Sequence, residues 1–224
     1  AGWGVREREV DARRVEALNG NRWANVYEAF TAEQIWPRGL PLPQARRHFA
    51  HDFAIETATT RQSAPIQQGL ANGSPDVDAV WRLVLDHEVT FDDVPNLFLP
   101  RGVWCPFNSQ NTTWWRDAFP LLYLPAYCSF RMTDIWRSFV AQRIAWESGW
   151  HILFHEPTVW QNRNDHNLML DFVDEIPGYL HNDRIRRILE DIPCAGGPEN
   201  IPDDLRRCYQ ALIAAEVIGT DEMP

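Results

Sequence analysis

Two carboxylates, Asp76 and Asp78, stand one residue apart directly after the turn sequence Asn-Gly-Ser-Pro at 72–75. Alternate residues of an extended segment point to the same side, so both carboxylates could reach one ligand. Paired carboxylates suit a divalent cation or two hydroxyl groups of a sugar. The competing interpretation gives both residues a turn or capping role, because Asp side chains bond readily to nearby backbone N–H groups. These residues alone leave both interpretations open.

A second polar segment follows Cys105 and Pro106 and carries four consecutive amide or hydroxyl side chains, from Asn108 to Asn111. Amide side chains donate and accept hydrogen bonds at once, which matches the hydroxyl groups of a sugar. Trp114 and Trp115 come next, and their flat faces could cover the apolar face of a pyranose. A polar turn would show the same composition. On the residues alone, the turn is the favoured interpretation.

Asp134 opens the most regular helical pattern of the chain, which is predicted over residues 134–148 with Gly149 after its end. As an N-cap, Asp134 would stabilise the helix by about 1 kcal/mol. A carboxylate at a helix start can also act as a general base, and the helix dipole would keep it ionised. Arg131 and Arg137 lie close enough in sequence to hold this carboxylate or a phosphate. The spacing alone favours capping.

The histidines give a weaker signal. His151 and His155 fall on a predicted strand, where four residues of extended chain separate the two rings too widely for one metal ion. His166 follows Asp165 in a predicted loop and is a candidate single metal ligand. The competing interpretation is a solvated histidine, which is the more common situation.

The composition excludes some classes of function. The formal net charge is −10 and no basic block is present, so a nucleic-acid surface is not expected. All 21 basic residues are Arg, which excludes a Schiff-base lysine and leaves cationic roles to Arg, His or a metal. We interpret the absence of Lys as the codon usage of a GC-rich, bacterial genome. No apolar run approaches the roughly 20 residues of a membrane span, and there is no signal peptide, so a cytoplasmic protein is expected.

The four cysteines lack the paired spacing of a zinc site. Reduced thiols are therefore expected, although Cys194 and Cys208 could form a disulfide in an oxidising compartment. Residues 25–42, rich in aromatic residues and Pro, should form an ordered loop anchored by Trp36. Short strands and amphipathic helices alternate along the rest of the chain, which predicts the α/β class. The predicted helices are 5–18, 134–148, 183–190 and 202–217; the predicted strands are 79–85, 94–100 and 151–155, with a turn at 156–157 and either a strand or a helical turn at 64–70.

At these motifs the sequence resembles the STELLO-type glycosyltransferase family. The resemblance covers residues 25–167 and includes the order and spacing of the motifs. The matching stretches are Trp-Pro-Arg-Gly-Leu-Pro-Leu at 36–42, Pro-Ile-Gln-Gln-Gly-Leu-Ala at 65–71, Pro-Asp-Val-Asp-Ala at 75–79, Pro-Phe-Asn-Ser-Gln-Asn-Thr at 106–112, Phe-Arg-Met-Thr-Asp-Ile-Trp-Arg at 130–137 and Pro-Thr-Val at 157–159. A fainter likeness connects the same region to the reversibly glycosylated polypeptides, or UDP-arabinopyranose mutases.

Both resemblances imply a GT-A-like fold, an α/β sandwich that binds a nucleotide sugar and often uses Mn²⁺ or Mg²⁺. In the family, the nucleotide-binding strands and the acidic metal motif precede the region that matches. The chain therefore resembles the acceptor-side half of such a domain, with the nucleotide-binding half missing or truncated and with helices at the C-terminal end. We expect a glycosyltransferase region over residues 1–180 and a helical extension over 181–224.

The resemblance also implies roles for individual residues. Asp134 becomes the candidate general base that deprotonates an acceptor hydroxyl in an inverting transfer. Other residues are expected to bind the donor sugar, the diphosphate, the acceptor or a metal: Asn108, Gln110 and Asn111 for sugar hydroxyls, Asp76 and Asp78 for donor sugar or metal, Arg38 and Arg131 for the diphosphate, Trp36 for substrate and His166 for metal. The family places a His soon after its Pro-Thr-Val strand, whereas this chain has Trp160 and Gln161 there.

Two other functions compete with catalysis by a glycosyltransferase. The chain could be a non-catalytic remnant that binds carbohydrate or protein, or a mutase that acts on the nucleotide sugar itself. The expected ligands are a nucleotide sugar and a saccharide acceptor. A protein partner or a homo-oligomer is a further expectation, because Trp3, Trp114 and Trp115 could lie on an exposed surface, although the same residues could equally belong to the core.

Overall fold

The computed structural model describes residues 7–46 and 53–222. Six strands form one mixed sheet in the order β2-β1-β4-β6-β3-β5, in which β1 and β4, and β3 and β6, pair in parallel. The α/β class is therefore confirmed, and the arrangement is consistent with a GT-A-like domain. The strands are β1 (Glu9–Ala17), β2 (Phe53–Ser63), β3 (Ile66–Gly73), β4 (Leu97–Leu99), β5 (Thr112–Trp114) and β6 (Ile152–Gln161).

Helices pack around this sheet. The α-helices are α1 (Leu42–Ala45), α2 (Ala79–Val84), α3 (Thr133–Glu147), α4 (Leu168–Asp191) and α5 (Ile201–Ala214). Short 3₁₀ helices occur at Val26–Ala29, Arg116–Leu122, Phe130–Met132 and Pro198–Asn200. Helix α3 is buried along nearly all of its length, since it packs on both α4 and α5. It therefore forms the centre of the helical layer.

The central strands explain where a ligand site can form. β3 is buried on both faces, as expected of a strand that lies between two others and beneath a helical layer. β3 and β6 run in parallel, so their carboxyl ends, Gly73 and Gln161, meet at one edge of the sheet. The chain then turns, and the amide of Ser74 donates to the carbonyl of Gln161. Ligands of α/β proteins bind outside the carboxyl ends of such strands.

Several predicted elements are confirmed, and one boundary is corrected. The helices predicted over 134–148 and 202–217 correspond to α3 and α5, and the strand predicted over 151–155 is the first half of β6. Asp134 is not the N-cap of α3, because a 3₁₀ turn leads into the helix and Thr133 is already helical. Asp134 therefore lies in the first turn, where its carboxylate is available to other partners.

Three other predictions were wrong. The segment predicted as a helix over 5–18 contains strand β1, whose buried Ala12 and Val15 pack in the sheet while its charges stay outside. The strand predicted over 79–85 is helix α2, because Asp78 caps its first turn. No turn occurs at Glu156 and Pro157, since β6 continues to Gln161 alongside β3. In each case a distant partner or a cap overrode the local pattern.

The C-terminal part of the chain is continuous with the rest. The helix predicted over 183–190 is the second half of α4, a helix of 24 residues. The expected boundary after residue 180 falls inside this helix, which contacts α2, α3 and α5. All four cysteines carry free thiols. Within the described residues, no helix combines the length and apolar character that crossing a membrane requires.

Two of the tryptophans named above as a possible contact surface are only partly exposed. Trp114 and Trp115 are half-buried, and Trp3 lies outside the described residues. An exposed apolar stripe instead follows helix α4. Its residues are Met169, Leu170, Val173, Ile176 and Leu180. A protein partner or homo-oligomer stays a prediction, and this stripe is the surface on which to test it.

We predict that Gly73→Ala lowers the free energy of unfolding by at least about 2 kcal/mol. Gly73 has φ +83°, and an added Cβ would lie 2.7 Å from the carbonyl oxygen of Gln161. Gly20→Ala is the control, because Gly20 has φ +72° with nothing within 4 Å of an added Cβ. Urea denaturation should therefore show the smaller loss for Gly20→Ala. Equal losses would contradict the close backbone approach at Gly73.

Candidate functional site

A polar cleft of about 150 Å³ lies at the carboxyl ends of β3 and β6. It contains four residues predicted from the sequence, namely Asp76, Gln110, Arg131 and His166. The full lining is Ser74, Pro75, Asp76, Val77, Arg82, Gln110, Arg131, Gln161, Arg163, Asn164 and His166. The structure thus brings together residues from five separate segments of the sequence at the expected edge of the sheet. We take this cleft as the candidate site.

Arg38 connects the cleft to Asp134. Its Nε and Nη2 donate to the two oxygens of Asp76, each over 2.9 Å. Nη2 also lies 3.1 Å from Oδ2 of Asp134, and Nη1 lies 3.0 Å from Oδ1 of the same residue. Because one guanidinium holds both carboxylates, Asp134 lies next to the cleft wall that Asp76 forms.

The predicted diphosphate role of Arg38 does not fit this geometry. Nη1 of Arg38 donates, in addition, to the carbonyl oxygen of Arg131. All five guanidinium N–H groups therefore face acceptors within the protein. Arg38 is also buried, with only 8% of its surface exposed. In the structure its guanidinium group contacts Asp76 and Asp134.

Asp134 is an ionised carboxylate with most of its surface covered. Burial raises its pKa, but the charge and hydrogen bonds of Arg38, the charge of Arg137 and the amide of Ser109 together bring the pKa below its usual value. The amide of Ser109 donates to Oδ2 over 3.1 Å. Asp134 therefore stays ionised over the whole neutral range. Ser109 and Gln110 beside it are exposed, so a ligand can approach from that side.

Asp78 and Trp36 do not face the cleft. The carboxylate of Asp78 is fully buried, accepts from the amide of Trp81 over 2.8 Å, and accepts from the indole Nε1 of Trp36 over 2.7 Å. Asp78 is thus the N-cap of α2, which was the competing interpretation. The two carboxylates of the Asp-x-Asp segment consequently point to different surroundings, and only Asp76 lines the cleft.

Burial raises the pKa of Asp78 to about 7, against the lowering effect of its hydrogen bonds. A carboxyl whose folded pKa exceeds its unfolded value adds stability below the unfolded pKa of about 4 and loses it as the pH rises through about 7. We predict that wild-type stability, compared with Asp78→Asn by urea denaturation, declines between pH 4 and 8. A difference that stays constant with pH would contradict this assignment.

Of the three amide residues, Asn108 and Asn111 hold the loop in place and Gln110 lines the cleft. Asn108 is buried, and its Oδ1 accepts from the amide of Gln110 in a turn. The Nδ2 of Asn111 donates to the carbonyl of Leu70 and to Oγ1 of Thr158, which ties the loop to the sheet. Gln110 is exposed and lines the cleft, anchored by a hydrogen bond from Nε2 to the carbonyl of Ser74. Of the three, Gln110 is therefore the one placed to contact a ligand.

The start of helix α4 supplies the opposite wall. Arg131 donates to Oε1 of the buried Glu175 through Nε and Nη2, over 3.0 and 2.6 Å. Asp171, in the first turn of α4, lies 3.4 Å from Nη2 of Arg163 and 3.4 Å from Nδ1 of His166. These contacts place Arg131, Arg163 and His166 around one short segment of helix.

The described residues do not fit a divalent cation. No group of three or more His, Cys, Asp or Glu side chains in the described ranges could hold a metal ion. Asp76 is bonded by the Arg38 guanidinium through both oxygens, and Asp171 has Arg163 beside it. Oxygen ligands paired with guanidinium groups are poor metal ligands. The Mn²⁺ or Mg²⁺ predicted from the resemblance, with His166 as ligand, stays a prediction.

Sequence reasoning missed two arginines of the cleft, Arg82 and Arg163. Arg82 lies on α2, which was predicted to be a strand, and Arg163 lies in the loop before α4. The sequence offered one usable signal for Arg163, its position between the end of β6 and His166. Exposed Trp160 also lies near this loop, with its indole against Gly73. It is a flat apolar surface that neighbours the cleft.

The sequence is similar to those of known proteins. A family model described as STELLO glycosyltransferases matches residues 131–223. Two Arabidopsis thaliana proteins, named Probable glycosyltransferase STELLO1 and Probable glycosyltransferase STELLO2, are each 34% identical to the chain, over 178 and 191 residues. These alignments cover 76% and 80% of the chain but 23% and 24% of the relatives. The chain thus spans about a quarter of the length of the curated relatives that it matches.

Proposed function

The chain belongs to the STELLO glycosyltransferase family, and we propose that it forms part of an enzyme that transfers a sugar from a nucleotide-sugar donor to a saccharide acceptor. The observation that carries the proposal is the position of Asp134. Its ionised carboxylate lies at the start of a buried helix, beside an exposed polar loop and next to the wall of a cationic cleft. The carboxylate would activate an acceptor hydroxyl, and the neighbouring cationic cleft would bind a phosphorylated leaving group.

In this proposal Asp134 is the general base of an inverting transfer. Its carboxylate accepts the proton of an acceptor hydroxyl while the hydroxyl oxygen forms a bond to the anomeric carbon. The bond between that carbon and the diphosphate breaks, and the nucleoside diphosphate leaves with the electron pair. A positioned base contributes about 10²- to 10⁴-fold to such a step. We assign no step to a divalent cation, because the described residues do not fit one.

The neighbouring residues position the reactants. Gln110 and Asp76 would bind sugar hydroxyls, since both line the cleft and amides and carboxylates match that chemistry. Arg131 would contact the diphosphate, as expected from the resemblance. Arg38 would act through Asp76 and Asp134, which it orients by paired hydrogen bonds. Asn108 and Asn111 would support the loop that carries Gln110.

The test is a turnover screen of the chain. UDP- and GDP-sugars would be incubated with oligosaccharide acceptors, and both the released nucleotide and the sugar products would be measured. Acceptor-dependent release of UDP or GDP supports the transferase. Isomerisation of the nucleotide sugar without acceptor would instead support the mutase. Saturable oligosaccharide binding without any turnover would support the non-catalytic remnant.

A further inference from the structure

Among the side chains that line the cleft, cations outnumber carboxylates, in a protein whose net charge is −10. Three guanidinium groups and one imidazole line it, from Arg82, Arg131, Arg163 and His166. The one carboxylate in the lining, Asp76, is already bonded bidentately by Arg38. Local clustering of cations against the overall charge indicates a site for an anion.

Arg82 is a buried cation with weak compensation. It is 7% exposed, and its Nη2 is fixed by Oγ of Ser74 over 2.8 Å and the carbonyl of Pro75 over 2.6 Å. Both partners are neutral. The carboxylate of Asp86 is largely exposed and lies 3.9 Å from Nη1. Burying a cation is costly unless a counter-charge accompanies it, so a bound anion would stabilise this arrangement.

Of the other two arginines, Arg131 has a close carboxylate partner in Glu175, whereas Arg163 has only a longer contact to Asp171. Asp171 is placed between Arg163 at 3.4 Å and Arg131 at 4.0 Å, and it also faces His166. Glu175, the closer partner of Arg131, also accepts from the amide of Ala79 and the hydroxyl of Tyr179. Long contacts to one shared carboxylate leave guanidinium N–H groups of Arg163 available to a ligand.

Arg82 and Arg163 line the same cleft, and their positive charges interact. Burial lowers the pKa of Arg82, and the neighbouring charge of Arg163 lowers it further. Two guanidinium groups that repel each other across a small space are stabilised by an anion with several acceptor oxygens. Phosphoryl groups match guanidinium groups bidentately and carry enough charge for more than one arginine.

We propose that Arg82, Arg131 and Arg163 form a diphosphate-binding site that neutralises the anion directly, without a divalent cation. The identification of the anion with the diphosphate of a nucleotide sugar rests on the proposed function. The binding of a phosphoryl group to these three arginines does not. His166, at the rim of the cleft, contributes a further N–H donor.

The experiment is a calorimetric titration of the chain with pyrophosphate at low ionic strength in the presence of EDTA. Parallel titrations with inorganic phosphate and with UDP separate a general phosphoryl site from one that also recognises the nucleoside. We expect saturable binding of pyrophosphate that is at least about 10-fold weaker in Arg163→Ala, because one charge-assisted hydrogen-bonding group is lost. Arg206→Ala, which removes an exposed arginine on α5, should bind like the wild type.

The outcomes distinguish this inference from the proposed function. Arg163→Lys keeps the positive charge but loses the planar guanidinium group that binds phosphate bidentately, so it should bind with intermediate affinity. A thermal melt would verify that both Arg163 variants are folded. Pyrophosphate binding equal in wild type and Arg163→Ala, no binding to wild type, or binding that appears only when Mg²⁺ replaces EDTA would each overturn the inference. Binding that survives in Asp134→Asn, together with the absence of turnover in every protein, would keep the anion site and refute the transferase.

Discussion

Asp134→Asn is expected to lower the rate of sugar transfer by about 10²- to 10⁴-fold while leaving the affinity for UDP nearly unchanged. The amide cannot accept the proton of the acceptor hydroxyl, yet it keeps the shape of the carboxylate and an oxygen for the amide of Ser109. The loss should therefore appear in kcat rather than in KM for the donor. The measurement is steady-state release of nucleotide with the best substrate pair of the turnover screen.

The matched control is Asp117→Asn, which neutralises an exposed carboxylate paired with Arg8. This variant should retain wild-type turnover and stability, because exposed ion pairs contribute about 0–1 kcal/mol. Circular dichroism would show that Asp134→Asn is folded. Turnover in folded Asp134→Asn within a few-fold of the wild type would refute the role of general base, whatever the effect on stability.

Arg38→Met is expected to lower the free energy of unfolding by about 3–5 kcal/mol, the largest stability effect that we predict. The substitution leaves Asp76 and Asp134 facing each other without their common cation. Arg101→Ala is the comparison, because Arg101 forms a similarly bidentate pair with Glu147 but is largely exposed. It should cost less than about 1 kcal/mol in the same urea titration.

The pH dependence of Arg38→Met gives a second check. The folded-state pKa of Asp134 is depressed, so in the wild type its ion pair adds stability above the unfolded pKa of about 4 and loses it as the pH falls through the folded value. Without Arg38 that acid-side loss should disappear. A double variant, Arg38→Met with Asp134→Asn, should recover part of the stability. A double variant as unstable as the sum of the two single variants would contradict a direct interaction.

The sequence allowed the helix that carries Asp134 to be predicted because its pattern is local. Its apolar positions recur at helical spacing, and Gly149 ends it. The cap could not be predicted, since the 3₁₀ turn that displaces it depends on the packing of Phe130–Met132 against α4. Strand β1 was missed for a similar reason. Its charged residues resemble a surface helix until β2 supplies the hydrogen bonds that fix it as a strand.

In the candidate site, too, some features could be predicted from the sequence and others could not. Residue types indicated that Asp76, Gln110, Arg131 and His166 could bind ligand, and their convergence on one cleft follows from the parallel pairing of β3 with β6. The contrast between Asp76 and Asp78 was not predictable from an Asp-x-Asp spacing. Whether a carboxylate caps a helix or faces solvent depends on where α2 begins, and that depends on Glu175 of α4 holding its first amide.

The central claim is that the cleft beside Asp134 holds the donor of a sugar transfer. The most direct test is a crystal structure of the chain with the nucleotide sugar identified in the turnover screen. We predict density for the diphosphate against Arg82, Arg131 and Arg163, with the anomeric carbon on the side of Asp134 and Gln110. Density for the nucleotide sugar elsewhere on the protein, with the cleft unoccupied, would contradict the account.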